Sequence, residues 1–302
     1  MNEEKENYNR LIKASQAEKI LGSCKIHIDV SKLSIFNQVN PSDEKMAYYL
    51  AAKDTGFIST KYASRGKITA RMFTTPNNLN LITLSDSEIL KCIDSRFDPG
   101  YIVEIDYSSY EFGIACGLMG FTDFDGLDVH QMVAEELKIE RNKAKKLVYA
   151  MLYGMSDSNL ANIVTPYQID NLTSLFMEFL NAKNEYLISL ESQFDTSQYV
   201  TNVFGRKIYP KHKGNIFNNV IQTTGSDIMI DTVIRIKKLE KFNILFHRFD
   251  SLYFDFTKDD LYKSLSTLIE AMNQSELEVN FNLQTAVYVG KSAHNLKKLK
   301  MK

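Results

Sequence analysis

The stretch Tyr101-Ile102-Val103-Glu104-Ile105-Asp106-Tyr107-Ser108-Ser109-Tyr110-Glu111 decides how the chain is read. Asp98-Pro99-Gly100 just ahead of it is a turn signal, because proline pre-sets one backbone angle and glycine tolerates conformations closed to other residues. The turn launches an apolar run over 101–105, which predicts a core strand ending at Asp106. From Tyr110 onward the apolar period is helical. A carboxylate that closes a core strand stands where the sheet leaves the interior and meets solvent.

Upstream, the pattern predicts a helix over 3–21 and another over 43–52. Ser42 is placed to cap the second by accepting from a free backbone N–H, although Lys45 stands where a capping-box glutamate would be. Residues 57–73 alternate around Ser64-Arg65-Gly66-Lys67, a predicted turn between two strands, and Pro76-Asn77-Asn78 breaks regular structure. A short helix fits 85–92.

Downstream, helices are predicted over 111–118, 130–137 and 142–153, with two more inside 166–194 and loops around Asp157 and Asn181. Strands return at 199–203 and 207–209, followed by a long helix over 216–240. Residues 244–246 and 251–256 read as a hairpin with Arg248-Phe249-Asp250 near its tip, then a helix over 261–272 and a last strand near 283–289. Strands on both sides of a helical block give an α+β class rather than a doubly wound sheet.

The chain of 302 residues, 44 % hydrophobic and 24 % charged, has the composition of an ordinary folded protein. No apolar run is long enough to cross a bilayer and the acidic, polar start does not read as a signal peptide, so the expectation is an intracellular protein without a membrane partner. Cys24, Cys92 and Cys116 lack metal-site spacing and are expected as buried thiols. The net charge of −1 gives no global bias toward nucleic acid, but Arg141, Lys143, Lys145 and Lys146 cluster, as do the lysines from Lys291 to Lys302.

If the strand bearing Asp106 and the hairpin bearing Asp250 are neighbours, the two carboxylates can share a pair of Mg²⁺ ions, with Mn²⁺ as a substitute. Among 37 acidic residues two well-placed aspartates are unremarkable alone; the sequence around them carries the weight. Arg141, Lys145, Tyr149 and Tyr153, each four residues from the next, form one stripe of a helix that drifts slowly around it. Such a stripe offers a forked cation and a point charge to phosphates, and aromatic rings to a sugar and base.

Asp106-Tyr107-Ser108 with Glu111 resembles the first palm motif of the family A, DNA polymerase I-like, enzymes. In order downstream, Asp128-Val129-His130 looks like the family's Asp-x-His segment and Arg141 to Gly154 is similar to its nucleotide-binding fingers helix. Gly205-Arg206 and the stretch from Asn218 through Gln222 to Asp227 resemble further shared segments, and Thr69-Ala70-Arg71 with Asn77-Asn78 resembles the primer-contacting stretch.

The resemblance implies a palm of antiparallel sheet and packed helices, in parts at 58–116 and 199–302, interrupted by helical fingers at 117–198. Residues 1–57 are left as an N-terminal helical region or residual thumb, the thumb being reduced or absent. It implies a template-directed polymerase with primer-template DNA and a deoxynucleoside triphosphate as partners. Asp106, Asp250 and the Tyr107 backbone carbonyl are then the metal ligands, and His130, Arg141, Lys145, Tyr149, Tyr153 and Glu111 hold the nucleotide. Glu111 lies beneath the sugar and crowds a 2′-hydroxyl, while Arg71, Asn78, Arg206 and Gln222 contact primer and template.

The pattern departs from the family at Phe249-Asp250-Ser251, where His-Asp-Glu is usual, so the second acid is missing. The length leaves no room for a full thumb together with a proofreading exonuclease, which implies low processivity and a thumb-like, processivity or exonuclease partner. A ribonucleotide-using polymerase or primase, and a degenerate polymerase kept as a binding or assembly module, are the other readings. Whether the setting is cellular, phage or a mobile element is open.

Overall fold

The structure, a computed structural model, describes residues 2–64, 68–84, 87–121, 124, 128–154, 170–274 and 283–300. In chain order, α1 (Asn2–Gly22) leads to β1 (Ile26–His27), α2 (Val30–Val39), α3 (Asp43–Ala52), β2 (Phe57–Ile58), β3 (Tyr62–Ala63) and β4 (Phe73–Thr74). Next come α4 (Ser87–Cys92), β5 (Gly100–Tyr107), α5 (Tyr110–Met119), α6 (Val129–Leu137), α7 (Arg141–Tyr153) and α8 (Asp170–Ser197). The remainder is β6 (Val200–Thr201), β7 (Lys207–Ile208), α9 (Ile216–Lys238), β8 (Ile244–Arg248), β9 (Ser251–Thr257), α10 (Lys258–Asn273), β10 (Thr285–Gly290) and β11 (Lys297–Lys298).

Strands from both ends of that order assemble into one antiparallel sheet, β11-β10-β5-β9-β8, with β5 at its centre. Alternation divides β5 cleanly: Val103, Ile105 and Tyr107 enter the main core with Leu252, Phe254 and Phe256 of β9, while Ile102, Glu104 and Asp106 take the other face. Beneath the first face lie α9 and α10, and Tyr107 reaches both, its hydroxyl donating to the Met272 carbonyl at 2.7 Å and lying 2.9 Å from Thr232 Oγ1. The opposite face is covered at one end only. There Ile102, Leu245, Phe246 and Tyr253 join Leu33, Tyr48 and Ile89 of α2, α3 and α4 in a second core. The uncovered end holds Glu104 and Asp106.

The central helix α9 is buried on nearly every side, from Ile216 to Ile236. Gly225 lets α5 approach: a side chain there would meet the Tyr110 ring at 3.0 Å and Ile114 at 3.1 Å, and the Tyr110 hydroxyl donates to the Gly225 carbonyl at 2.7 Å. Helix α1 lies along α9, with Arg10 and Lys13 both on Asp231 at 2.7 and 2.9 Å. The N-terminal helices thus pack onto the sheet domain.

Several predicted elements differ. Helix α8 runs through Asn181 without the expected loop, since buried Phe176, Phe179 and Leu180 fix that segment and outweigh the modest helix cost of one asparagine. The predicted turns at Asp157 and Arg65-Gly66-Lys67, and the start of the first helix at Pro166, lie outside the described residues. Of the alternating stretch 57–73, β2 pairs with β1, while β3 and β4 pair with each other over two residues each. Helix α2 escaped the sequence reading although Asp29 caps it by accepting from the Lys32 N–H at 2.9 Å. Ser42 caps α3 as expected, accepting from Lys45 N–H at 3.2 Å. Cys92 and Cys116 are buried, whereas Cys24 is half-buried.

Candidate active site

Asp106 pairs with Ser251 across β5 and β9, so Asp250 follows from the register as its neighbour. The Tyr107 N–H donates to the Asp250 carbonyl at 3.1 Å and fastens the hairpin tip to the end of β5. Two non-glycine residues in the left-handed region flank the site, Ser109 at φ 49°, three residues beyond Asp106, and Phe249 at φ 52°, immediately before Asp250. Such residues cost on the order of 1–2 kcal/mol and persist where surrounding contacts hold them. Phe249 is held through its carbonyl, 2.7 Å from His247 Nε2.

Both carboxylates line an open cavity of about 440 Å³ together with Glu111, Lys145, Tyr149 and Gln222. Burial, followed by the charges of Asp250 and Glu104, pushes Asp106 up to about 7. Burial, followed by the charge of Glu111, pushes Asp250 up to about 6 against the pull of Arg71 and Lys145. Burial and neighbouring negative charge disfavour the ionised form of both acids, and a divalent cation would offset that cost. Among the described residues no three acidic, histidine or cysteine side chains form a ready cage. Two hard carboxylates beside open space nonetheless suit Mg²⁺, which keeps waters and substrate phosphates as its other ligands. The backbone of Tyr107, its ring turned into the core, borders the adjoining polar cavity of about 220 Å³.

The α7 stripe faces this ground. Arg141, Lys145 and Tyr149 line the polar cavity, while Leu147, Val148 and Leu152 are buried behind them. Arg141 is paired with Asp128 at 2.9 Å, and Asp128 also caps α6 by accepting from the Gln131 N–H at 3.1 Å. His130 stacks near Tyr149, centroids 6.0 Å apart, with Nδ1 3.3 Å from Ser109 Oγ. Its Nε2 is buried without a hydrogen-bond partner among the described residues, and burial, then the charge of Arg141, pushes its pKa down to about 4. A neutral ring with a proton on Nε2 would donate to an anion in the cavity.

Glu111 is held from two sides, by the Arg71 guanidinium and by the Tyr153 hydroxyl, which donates to Oε2 at 2.7 Å. Arg71 and Gln222 also border an apolar cavity of about 190 Å³ beside Phe249 and Met229.

Two of the residues assigned to primer and template do not join this group. Arg206 is 6 % exposed, and its guanidinium binds Asp227 with contacts of 2.5 to 3.0 Å, so it is turned inward and its expected contact with nucleic acid is corrected to a buried ion pair. Asn78 is exposed on the 76–78 turn with its amide donating to Thr75 Oγ1 at 2.8 Å. Glu104 and Arg248 line the cavity of about 440 Å³ without having been singled out. Strand alternation alone puts Glu104 on the face of Asp106, and Tyr253 donates to it at 2.7 Å. Asp255 is occupied elsewhere, accepting from Ser95 at 2.5 Å.

The family model described as DNA polymerase family A matches residues 11–295. Among solved structures, the POL domain of Pol1 from M. smegmatis in complex with DNA primer-template and dNTP shares the fold, with a TM-score of 0.66 and 16 % sequence identity. The likeness covers 96 % of this chain and 66 % of that one, so the chain spans just under two thirds of that structure's length.

Proposed function

The chain belongs to DNA polymerase family A, and on that premise we propose that it is a template-directed DNA polymerase adding deoxynucleotides to a primer 3′-hydroxyl by two-metal phosphoryl transfer. One observation carries the reading: Asp106 and Asp250, from distant parts of the chain, share a cavity with Lys145 and Tyr149 of α7. Pure binding has no use for two facing carboxylates that repel each other.

Asp106 and Asp250, with the Tyr107 carbonyl, would hold the divalent ions; these, when bound, supply Lewis-acid activation of the primer hydroxyl and charge for the departing phosphate. Arg141 and Lys145 orient the triphosphate, with His130 Nε2 as a further donor. Tyr149 packs on sugar and base. Glu111, immobilised by Arg71 and Tyr153, presents a fixed carboxylate under the sugar, which disfavours a 2′-hydroxyl. Arg71 and Gln222 read acceptors common to all base pairs in the minor groove. Catalysis on this plan is alignment and charge stabilisation.

We further propose low processivity and help from a partner protein, since a net charge of −1 gives the chain no overall attraction to the phosphate backbone. A second reading, a binding module without catalysis, is favoured by Ser251, buried with its hydroxyl donating to the Arg248 carbonyl at 2.9 Å where the family usually carries glutamate. Primer extension with Mg²⁺, using deoxy- and ribonucleotides separately and a no-template control, distinguishes the readings. Extension lost in Asp106→Ala with DNA binding kept supports the polymerase; no extension by the unaltered chain defeats it.

A further inference from the structure

Tyr253, Glu104, Tyr288 and Lys298 are successive cross-strand partners running over β9, β5, β10 and β11. Directly paired residues project to one face, and Glu104 shares its face with Asp106, two positions on. Lys298 therefore belongs to the catalytic face, and it joins Asp106, His130, Arg141 and Lys145 around the polar cavity. The strand that carries it is anchored by the Leu299 N–H, which donates to the Val287 carbonyl at 2.8 Å. Lys297, its neighbour in β11, is placed on the other face by the same alternation.

Arg141, on the helical wall, divides its charge with Asp128. Lys298, on the sheet wall, is exposed and has no ion pair among the described residues. A polyanion in this cavity would lie between the two walls, its far end beyond the aspartates and within reach of both. β11 lies past residue 295, where the family match ends, so this cation is supplied by residues outside the matched domain.

We infer that Lys298 is a further ligand of the β- and γ-phosphates of the incoming nucleoside triphosphate, closing the site from the edge of the sheet. The inference rests on the polymerase reading and deepens it. Lys298 acts on binding of the phosphate tail, so its loss raises KM more than it lowers kcat.

The test is single-nucleotide primer extension by the full chain and its Lys298→Ala, Lys298→Arg and Lys297→Ala variants, with DNA affinity measured separately. Lys298→Ala is expected to raise KM for the nucleotide about five- to tenfold with kcat within about twofold, and Lys298→Arg to recover most of it. Lys297→Ala should stay within about twofold of the unaltered chain. An unchanged KM in Lys298→Ala, an equal rise in Lys297→Ala, or an equal loss of DNA affinity overturns the inference. Should the unaltered chain extend no primer, the polymerase reading fails by itself, and calorimetry with magnesium tripolyphosphate still decides: weaker binding by Lys298→Ala sustains the contact, and equal binding ends it.

Discussion

The backbone N–H of Tyr107 donates to the carbonyl of Asp250 at 3.1 Å, so the residue after one aspartate is tied directly to the other. The distance between the two carboxylates is therefore set by sheet register, with Asp106 opposite Ser251, and not by the loops that follow. A site fixed in this way holds its acids together even when no metal offsets their repulsion.

Removing one charge should separate function from stability. Asp106→Asn or Asp250→Asn is expected to lower primer extension by about a thousandfold or more while leaving DNA affinity within about twofold. The same substitutions should raise the melting temperature of the metal-free chain by a few degrees, because each relieves a half-buried negative charge. Thermal melts in chelator, beside extension assays, check both halves; a destabilised Asp106→Asn chain would contradict the electrostatic account.

The acids also set a pH dependence whose sign is fixed. Their folded-state values of about 7 and about 6 lie above the ordinary 3.8 of an unfolded aspartate. Between about pH 4 and 7 the folded metal-free chain holds protons that the unfolded chain has released, so stability falls as pH rises through that window and levels off above it. Metal binding displaces those protons, so the apparent affinity for Mg²⁺ or Mn²⁺ should tighten by about tenfold or more from pH 6 to 8. Melts with and without metal at several pH values measure both slopes, and Asp106→Asn should flatten them.

Strands β5, β8, β9 and β10 and most of the helices were legible because each is amphipathic or apolar with the proper period, and turns such as Asp98-Pro99-Gly100 marked their ends, whereas the two-residue strands β1 and β11 are too short to show a period. The two aspartates were legible through motif and strand end. What escaped has a physical reason in each case. Asn181 looks like a break, yet three neighbouring apolar side chains bury against the core and carry α8 through it. Arg206 reads as a primer-template contact because Gly205-Arg206 resembles a shared family segment; only the tertiary fold shows Asp227 facing it. Lys298 stood in a lysine-rich tail that composition could not distinguish from a solvated end, and its role emerged only from strand register.

Glu111 is gripped from two sides, and the grip should matter for sugar choice. Tyr153→Phe removes the 2.7 Å hydrogen bond to Oε2 and leaves Arg71 as partner, so the carboxylate gains freedom to swing. Ribonucleotide incorporation relative to deoxynucleotide is expected to rise about three- to tenfold in Tyr153→Phe, and by more in Glu111→Ala, which removes the obstacle itself. Competition between the two nucleotide types over one templating base measures the ratio; equal discrimination in Glu111→Ala would remove the carboxylate from sugar selection.

The ion pair of Arg206 and Asp227 makes the opposite kind of prediction, a large effect on folding and little on nucleic acid. Asp227 is fully buried, and besides Arg206 it accepts from Asn202 Nδ2 at 2.8 Å. The Asn202 side-chain oxygen in turn accepts from the N–H groups of Phe204 and Arg206, so one network shapes the turn that Gly205 closes against Glu6 at φ 75°. Arg206→Ala would strand a buried carboxylate and should cost about 3–5 kcal/mol of stability, measured by denaturant unfolding. Adding Asp227→Ala removes the stranded charge, so the double variant should be more stable than Arg206→Ala alone. At a temperature where each variant is folded, DNA affinity should stay within about threefold of the unaltered chain, because the guanidinium faces the core. An Arg206→Ala chain that kept its stability but lost most of its DNA affinity would return Arg206 to the primer-template surface and place the buried pair in error.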